Sequence, residues 1–484
     1  MRKGISLLIV VTLLFAGALG GCKSKQSEKE RTVYEITAEY VPAQCALTGT
    51  VKVDFYNASS ATLDVLKFQL YPNAYRRGAL FSPIGYDVAA EAYYAGESYG
   101  EIVVSSVLGG GNFEITGADK NILSVRLLAP LDPEERVTVD IGFSTRIPKV
   151  RHRLGVTEQT VNFAGAFPTL CGLTDDGFYE CVYSSVGEPF FADCADYSLA
   201  LTLPKEYALA TTGKIARESG LESKKKYTVS ALNVRELAFV LSDDFTLYSA
   251  YTGKTTVQYY ALEKERGQQM ADFAAQVAEF YSSAFGEYLY GELSLVETGV
   301  VNGSADHAGL CMLSARSSTE EMRRLIAKEI ASQWWYAAVG VNRAEYAWLV
   351  EGLSEYSAAL FFEKHSEYGV SKADYVEPAR QRYGEYKDSY QKALGWVDVR
   401  MNRPLSSFLN TYEYERIAVD RAAVMLFELE KGIGSKKFLS GLRRYYAENS
   451  YGNATPAHLV GAYERIGLEL GGFFDAYLDG KGDF

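Results

Sequence analysis

Histidine is scarce in this chain: four residues in 484, at His152, His307, His365 and His458. His152, His365 and His458 stand at no metal-ligand spacing, and the helical zinc motif H-E-x-x-H is missing. Cysteine is nearly as rare, at six, and no C-x-x-C pair occurs, which excludes a cysteine zinc knuckle. Positive charge is also short. Lys and Arg number 49 against 61 Asp and Glu, for a formal net charge of −12. That balance disfavours nucleic acid and offers no basic patch to anionic lipid. No G-x-x-x-x-G-K-[ST] or G-x-S-x-G segment is present, so nucleotide and serine-hydrolase readings have no support. The longest apolar run, Ile5 to Leu19, falls short of the roughly 20 residues a membrane helix needs.

What is present is an ordinary folding composition, 48% hydrophobic and 23% charged, over a length that predicts two domains. Ahead of them, Arg2 and Lys3 precede "ISLLIVVTLLFAGAL", a secretory pattern ending in Leu19-Gly20-Gly21-Cys22. That ending resembles the bacterial lipobox, in which the cysteine becomes the lipidated first residue. Residues 1–22 therefore read as a lipoprotein signal peptide and 23–31, "KSKQSEKER", as a polar tether. The expected location is the outer face of the cytoplasmic membrane in a bacterial cell envelope, with the membrane as a partner through lipid on Cys22. Without Cys22 five cysteines remain, an odd number, and Cys171, Cys181 and Cys194 lie near enough in sequence to include one disulfide.

Two textures follow. From 32 to about 252 the chain runs in short alternating segments such as "TVKVDFYNASSATLDVLKFQLYP" and "YSLALTLPKEYALATTG", the pattern of antiparallel strands. The Gly109-Gly110-Gly111 run reads as a hairpin loop. From 253 to 484 helical spacing dominates, beginning with "EKERGQQMADFAAQVAEFYSSAF". The fold class is α+β: a β-domain over 32–252, then a mostly helical domain over 253–484.

The chemistry concentrates in "LIAKEIASQWWYAAVGVNRAEYAWLVEGLSEYSAAL", 325–360. Lys328 and Ser332, four apart, share one helix face with Glu329 beside them. Eighteen residues separate Ser332 from Glu351 in the next helical stretch. Spacing and wording resemble the gluzincin zinc aminopeptidases of the membrane alanyl aminopeptidase type, peptidase family M-one. "YEITAEYVPAQCALTGTVKVDFYN", "LKFQLYPNAYR", "GLRRYYAENSYGNATPAHL" and "FFDAYLDGKGDF" extend the likeness over most of the chain. The resemblance implies a β-saddle domain followed by a thermolysin-like peptidase domain. It places Lys328 and Ser332 at the two zinc-histidine positions, Glu351 at the third ligand and Glu329 at the general base. "GSADHAGL" stands where a substrate-amine loop belongs, with Asp306 at its acidic position and His307 beside it. Counting back from "LFELEKGIG" puts Val419 at the oxyanion tyrosine, with Tyr412 and Tyr414 close by in sequence.

A catalytic zinc uses three protein ligands and a water. One of the three survives here, so no cofactor is expected and Lys328 is a candidate to stand in the vacated cation position, paired with Glu351. The expected function is a pseudo-peptidase that binds a peptide or protein in the inter-domain cleft, without nucleic acid. Two alternatives stand beside it: an active metalloaminopeptidase with atypical ligands, including a rearranged site of His307, Asp306 and Glu351, and a structural or assembly lipoprotein. Trp334 and Trp335 read as packing residues, with stacking on a peptide as the lesser alternative.

Overall fold

The computed structural model describes residues 30–482 except 221 and 302. The signal peptide, lipobox Cys22 and tether residues 23–29 lie outside the described residues. Alternation sets the first strand, β1 (Val33–Val41): Tyr34, Ile36, Ala38 and Tyr40 are buried, and the residues between them face outward. It pairs antiparallel with β2 (Ala46–Tyr56), with Val33 opposite Asp54 and Val41 opposite Ala46. It pairs parallel with Ala195–Pro204, where the rings of Tyr34 and Tyr197 stack at 4.4 Å. These are the centre of a seven-stranded sheet. Two four-stranded sheets and a two-stranded ribbon of Leu173–Thr174 with Gly177–Phe178 complete the β-rich half.

The glycine run does not close a hairpin. Gly109–Gly111 carries the chain from strand Glu101–Leu108 in the seven-stranded sheet to strand Phe113–Thr116 in a four-stranded one. The backbone must pass close there: a Cβ on Gly109 would lie 2.2 Å from the Thr138 carbonyl oxygen. The five described cysteines are all free thiols, so the disulfide allowed by the spacing of Cys171, Cys181 and Cys194 is not formed.

A five-stranded sheet begins the second half. Thr246–Thr252 and Thr255–Ala261 form a hairpin, followed inward by Glu292–Thr298 and Leu310–Ser314, with Ser304–His307 as the outer strand. Helices α1 (Gly267–Phe285) and α2 (Thr319–Ser332) pack on it, and α3 (Arg343–Lys364) packs against α2. Ser318 starts α2 through a reciprocal cap: its hydroxyl accepts from the Glu321 amide at 3.3 Å, and Glu321 accepts from the Ser318 amide at 2.8 Å. A π-turn, Gln333–Ala338, ends the same helix. There Trp334 and Trp335 are fully buried, donating to the Gly286 carbonyl and the Ser357 hydroxyl, both at 2.9 Å. They pack and are not presented to a ligand.

Arg235, following strand Lys224–Val234, holds the two halves together. It is 1% exposed. Its guanidinium donates to the carbonyls of Tyr336, Ala337, Ala338, Ala192 and Gly452 and to the Asn453 side chain, at 2.6–3.3 Å.

Candidate active-site cleft

Between the halves lies a cavity of about 390 Å³. Ser304, Asp306, Lys328, Glu329, Ser332, Arg343, Glu351, Tyr414 and Val419 all line it. The fold thus brings together residues that the sequence spreads over 116 positions, from 304 to 419.

Helix α2 presents Lys328, Glu329 and Ser332 from consecutive turns, and α3 presents Glu351 opposite. The Lys328 Nζ lies 2.9 Å from Glu351 Oε2, and Arg343 Nη2 lies 3.2 Å from Glu351 Oε1. Arg343 Nη1 reaches both oxygens of Asp306, at 2.9 and 3.1 Å. Ser332 turns its hydroxyl into its own helix, donating to the Glu329 carbonyl at 2.7 Å. Burial by itself raises the pKa of Glu351, but the charges and hydrogen bonds of Lys328 and Arg343 outweigh it and hold the carboxyl at about 2. Burial also opposes the charge on Lys328, and Glu351, Glu329 and Glu355 overcome it, so the ammonium persists well above its ordinary range.

Glu329 is the opposite case. Its Oε1 accepts from the Ser304 hydroxyl at 2.7 Å. Burial and the Asp306 charge push its pKa up to about 7, against the lowering pull of Lys328. The folded chain therefore holds this proton up to about 7, whereas an unfolded carboxyl gives it up near 4.5. Stability from this group is complete below 4.5 and is lost as pH rises through 7. Glu329→Gln should remove that slope. Between pH 5 and 8 the wild type should lose about 2–3 kcal/mol more unfolding free energy than the variant. Urea titrations at a series of pH values read the difference, and parallel curves would contradict it.

Three expectations need correction. Asp306 is not an open acid for a substrate amine, because Arg343 already neutralises it. His307 does not join Asp306 in the cleft: neighbours on a strand face opposite ways, and its Nδ1 lies 3.1 Å from Glu236 in a fully buried position outside the cavity. No rearranged metal site of His307, Asp306 and Glu351 is therefore assembled. Val419 does line the cavity, on a π-turn over Glu415–Arg421, but a phenol stands there too: Tyr414 is buried with its hydroxyl directed at Glu351. A phenol thus lies beside Glu351, five residues before the counted position.

Other residues were not picked out in the sequence. Arg343 begins α3, where the helix dipole disfavours a cation, so an arginine there points to acidic partners. His152 lines the cavity wall with its Nδ1 2.6 Å from the Tyr75 hydroxyl, and burial followed by the Arg153 charge holds it neutral, well below the usual histidine range. Ser304 carries no sequence signal that would have found it. Gln333 fixes the edge hairpin to α2, accepting from the Gly309 amide at 2.7 Å and donating to the His307 carbonyl at 3.1 Å.

A tetrahedral dication does not fit these residues. Both oxygens of the one retained ligand are taken by cations, a permanent guanidinium sits on one of them, and the serine hydroxyl is spent within its helix. Among the described residues no three His, Cys, Asp or Glu side chains converge as a metal cluster.

A sheet-rich half, a helical half and a cleft where consecutive helices present an acid each define a two-domain α+β protein with the metallopeptidase architecture. Residues 309–477 match the Peptidase family M1 domain. Its fold is that of an M1 zinc metallopeptidase from Deinococcus radiodurans, at TM-score 0.63 and 17% identity, with 94% of each chain covered. A glutamate-to-alanine mutant of an M1 zinc metallopeptidase from the same organism, bound to a Tyr-Ser-Ala substrate, matches equally, at TM-score 0.63 and 17% identity over 94% of each chain. By sequence the chain is 23% identical over 288 residues to the alanine/arginine aminopeptidase of Saccharomyces cerevisiae, covering 54% of this chain and 32% of that one. It is 24% identical over 245 residues to mitochondrial aminopeptidase 2 of the same yeast, covering 46% and 24%. The chain thus spans a third or less of the length of these curated relatives.

Proposed function

We propose that the protein is a non-hydrolytic, membrane-anchored relative of the M1 aminopeptidases that receives a peptide or a protein partner in its cleft. The observation that carries this reading is the Lys328–Glu351 pair at 2.9 Å, an ammonium held by the carboxylate that would otherwise face a metal. A Lewis acid that polarises a carbonyl and acidifies water is worth several kcal/mol, and Glu329, protonated up to about 7, does not replace it. The open cavity of about 390 Å³ supports retention of binding, as does the tripeptide held by the similar Deinococcus protein. With Asp306 occupied, Glu329 is one of the acids in the cleft that remain to meet a ligand's amine, above the pH at which it ionises. No zinc is expected in the purified protein, and the anchor is the lipidated Cys22 at the outer face of the bacterial cytoplasmic membrane.

The test is metal analysis of purified protein together with hydrolysis of aminoacyl amides. Stoichiometric zinc with turnover abolished by a chelator would overturn the proposal. Saturable binding of a peptide library without turnover supports it over a purely structural role, which should show none. Lys328→Ala checks the pair itself. Because Lys328 is partly exposed and Arg343 remains on Glu351, the expected loss is about 2 kcal/mol, below that of a fully buried pair. An unchanged or higher melting temperature would show that the pair does not stabilise the fold.

A further inference from the structure

Only one of the two cations on Glu351 stands at a former ligand position; the other, Arg343, lies eight residues before Glu351 in the chain. Together they bring two positive charges to a place where the fold would otherwise need a dication. We infer that the cleft holds a latent divalent-metal site closed by Arg343, so that returning imidazoles at 328 and 332 does not by itself restore metal binding. This rests on the metal-free reading of the site proposed above.

The geometry supports closure by Arg343 in three ways. Its Nη2 occupies Glu351 Oε1, the carboxylate atom left after Lys328 takes Oε2. Replacing Lys328 by histidine frees Oε2 alone, and an incoming cation still meets a fixed positive charge across the same carboxylate. A guanidinium, unlike an amine or an imidazole, does not give up its proton to make room. Nor is it free to swing away. It is 3% exposed, its centre lies 4.5 Å from the ring of Tyr336, and leaving would abandon the buried Asp306 that it bridges through both oxygens. The backbone at its root is pinned as well, since the Asn342 side chain accepts from the Ala344 amide at 3.2 Å to start α3. Arg343 thus acts on the site by position and charge, not as a ligand.

The experiment compares the wild type, K328H/S332H and K328H/S332H/R343Q, each dialysed against zinc and, separately, against cobalt(II). Bound metal is measured by elemental analysis, and cobalt coordination by visible absorption. The triple variant should retain about one zinc per chain and show the spectrum of four-coordinate cobalt. The double variant should bind about 100-fold more weakly. Equal affinity in the double and triple variants overturns the inference, and so does a folded triple variant that binds no zinc. If the triple variant does not fold, the double variant decides: a zinc-induced rise in its melting temperature overturns the inference, and no rise upholds it. Zinc in the wild type at one per chain would instead sink the proposed function, so the two failures are distinguishable.

Discussion

Arg235→Ala is expected to destabilise the protein by about 4–5 kcal/mol, near the upper end for a single substitution. The cause is the orphaned acceptors more than the lost bonds. Five carbonyls and one side-chain amide oxygen converge on this guanidinium. Each buried acceptor left without a donor costs about 1–3 kcal/mol, reduced wherever water enters the space left behind. The acceptors belong to three distant stretches: Ala192, the π-turn after α2 and the Gly452–Asn453 segment. Removal should therefore loosen the seat of the helix that carries Lys328 and Glu329. Arg235→Lys tests whether geometry or charge matters. A lysine brings the charge but three donors on a single atom, so it should recover less than half of the loss. Denaturant unfolding reads both values. A loss below about 1 kcal/mol for the alanine variant would mean that the carbonyls find other donors.

Much of this architecture could be read from the chain. The alternation in "TVKVDFYN" marked a strand, in which Val51, Val53 and Phe55 are buried, and the stretch around Lys328 and Glu329 read as a helix, because both signals are local and periodic. The helix-like stretch around Glu351 was legible for the same reason, whereas its placement opposite Lys328 was implied only by the resemblance. What stayed hidden depended on pairing between distant segments. Asp306 looked like an open acid because nothing in "GSADHAGL" reveals that Arg343, 37 residues later, lies against it. Tyr414 was passed over because its approach to Glu351 depends on how the helices pack, which an offset counted along the chain does not carry. The glycine run was read as a hairpin because a turn signal says that the chain reverses or crosses, not which sheet receives it.

Arg343→Ala is the second large effect, expected at about 3–5 kcal/mol at neutral pH, since it removes one partner from two buried carboxylates at once. Asp306 would lose both of its contacts to Arg343, while Glu351 would keep Lys328 at 2.9 Å. The loss should thus be carried mainly by Asp306, and D306N in the same background should recover a substantial part of it. The pH dependence follows from Glu351. Its folded pKa of about 2 lies below the ordinary 4.5, so its contribution is present above 4.5 and is lost as pH falls toward 2. Taking away Arg343 raises that folded pKa and shrinks the contribution. The gap between wild type and R343A should therefore be widest above pH 5 and narrow on acidification, as measured by unfolding between pH 3 and 8. A gap that does not change with pH would assign the stabilisation to packing of the guanidinium on Tyr336, 4.5 Å away, and not to its charge.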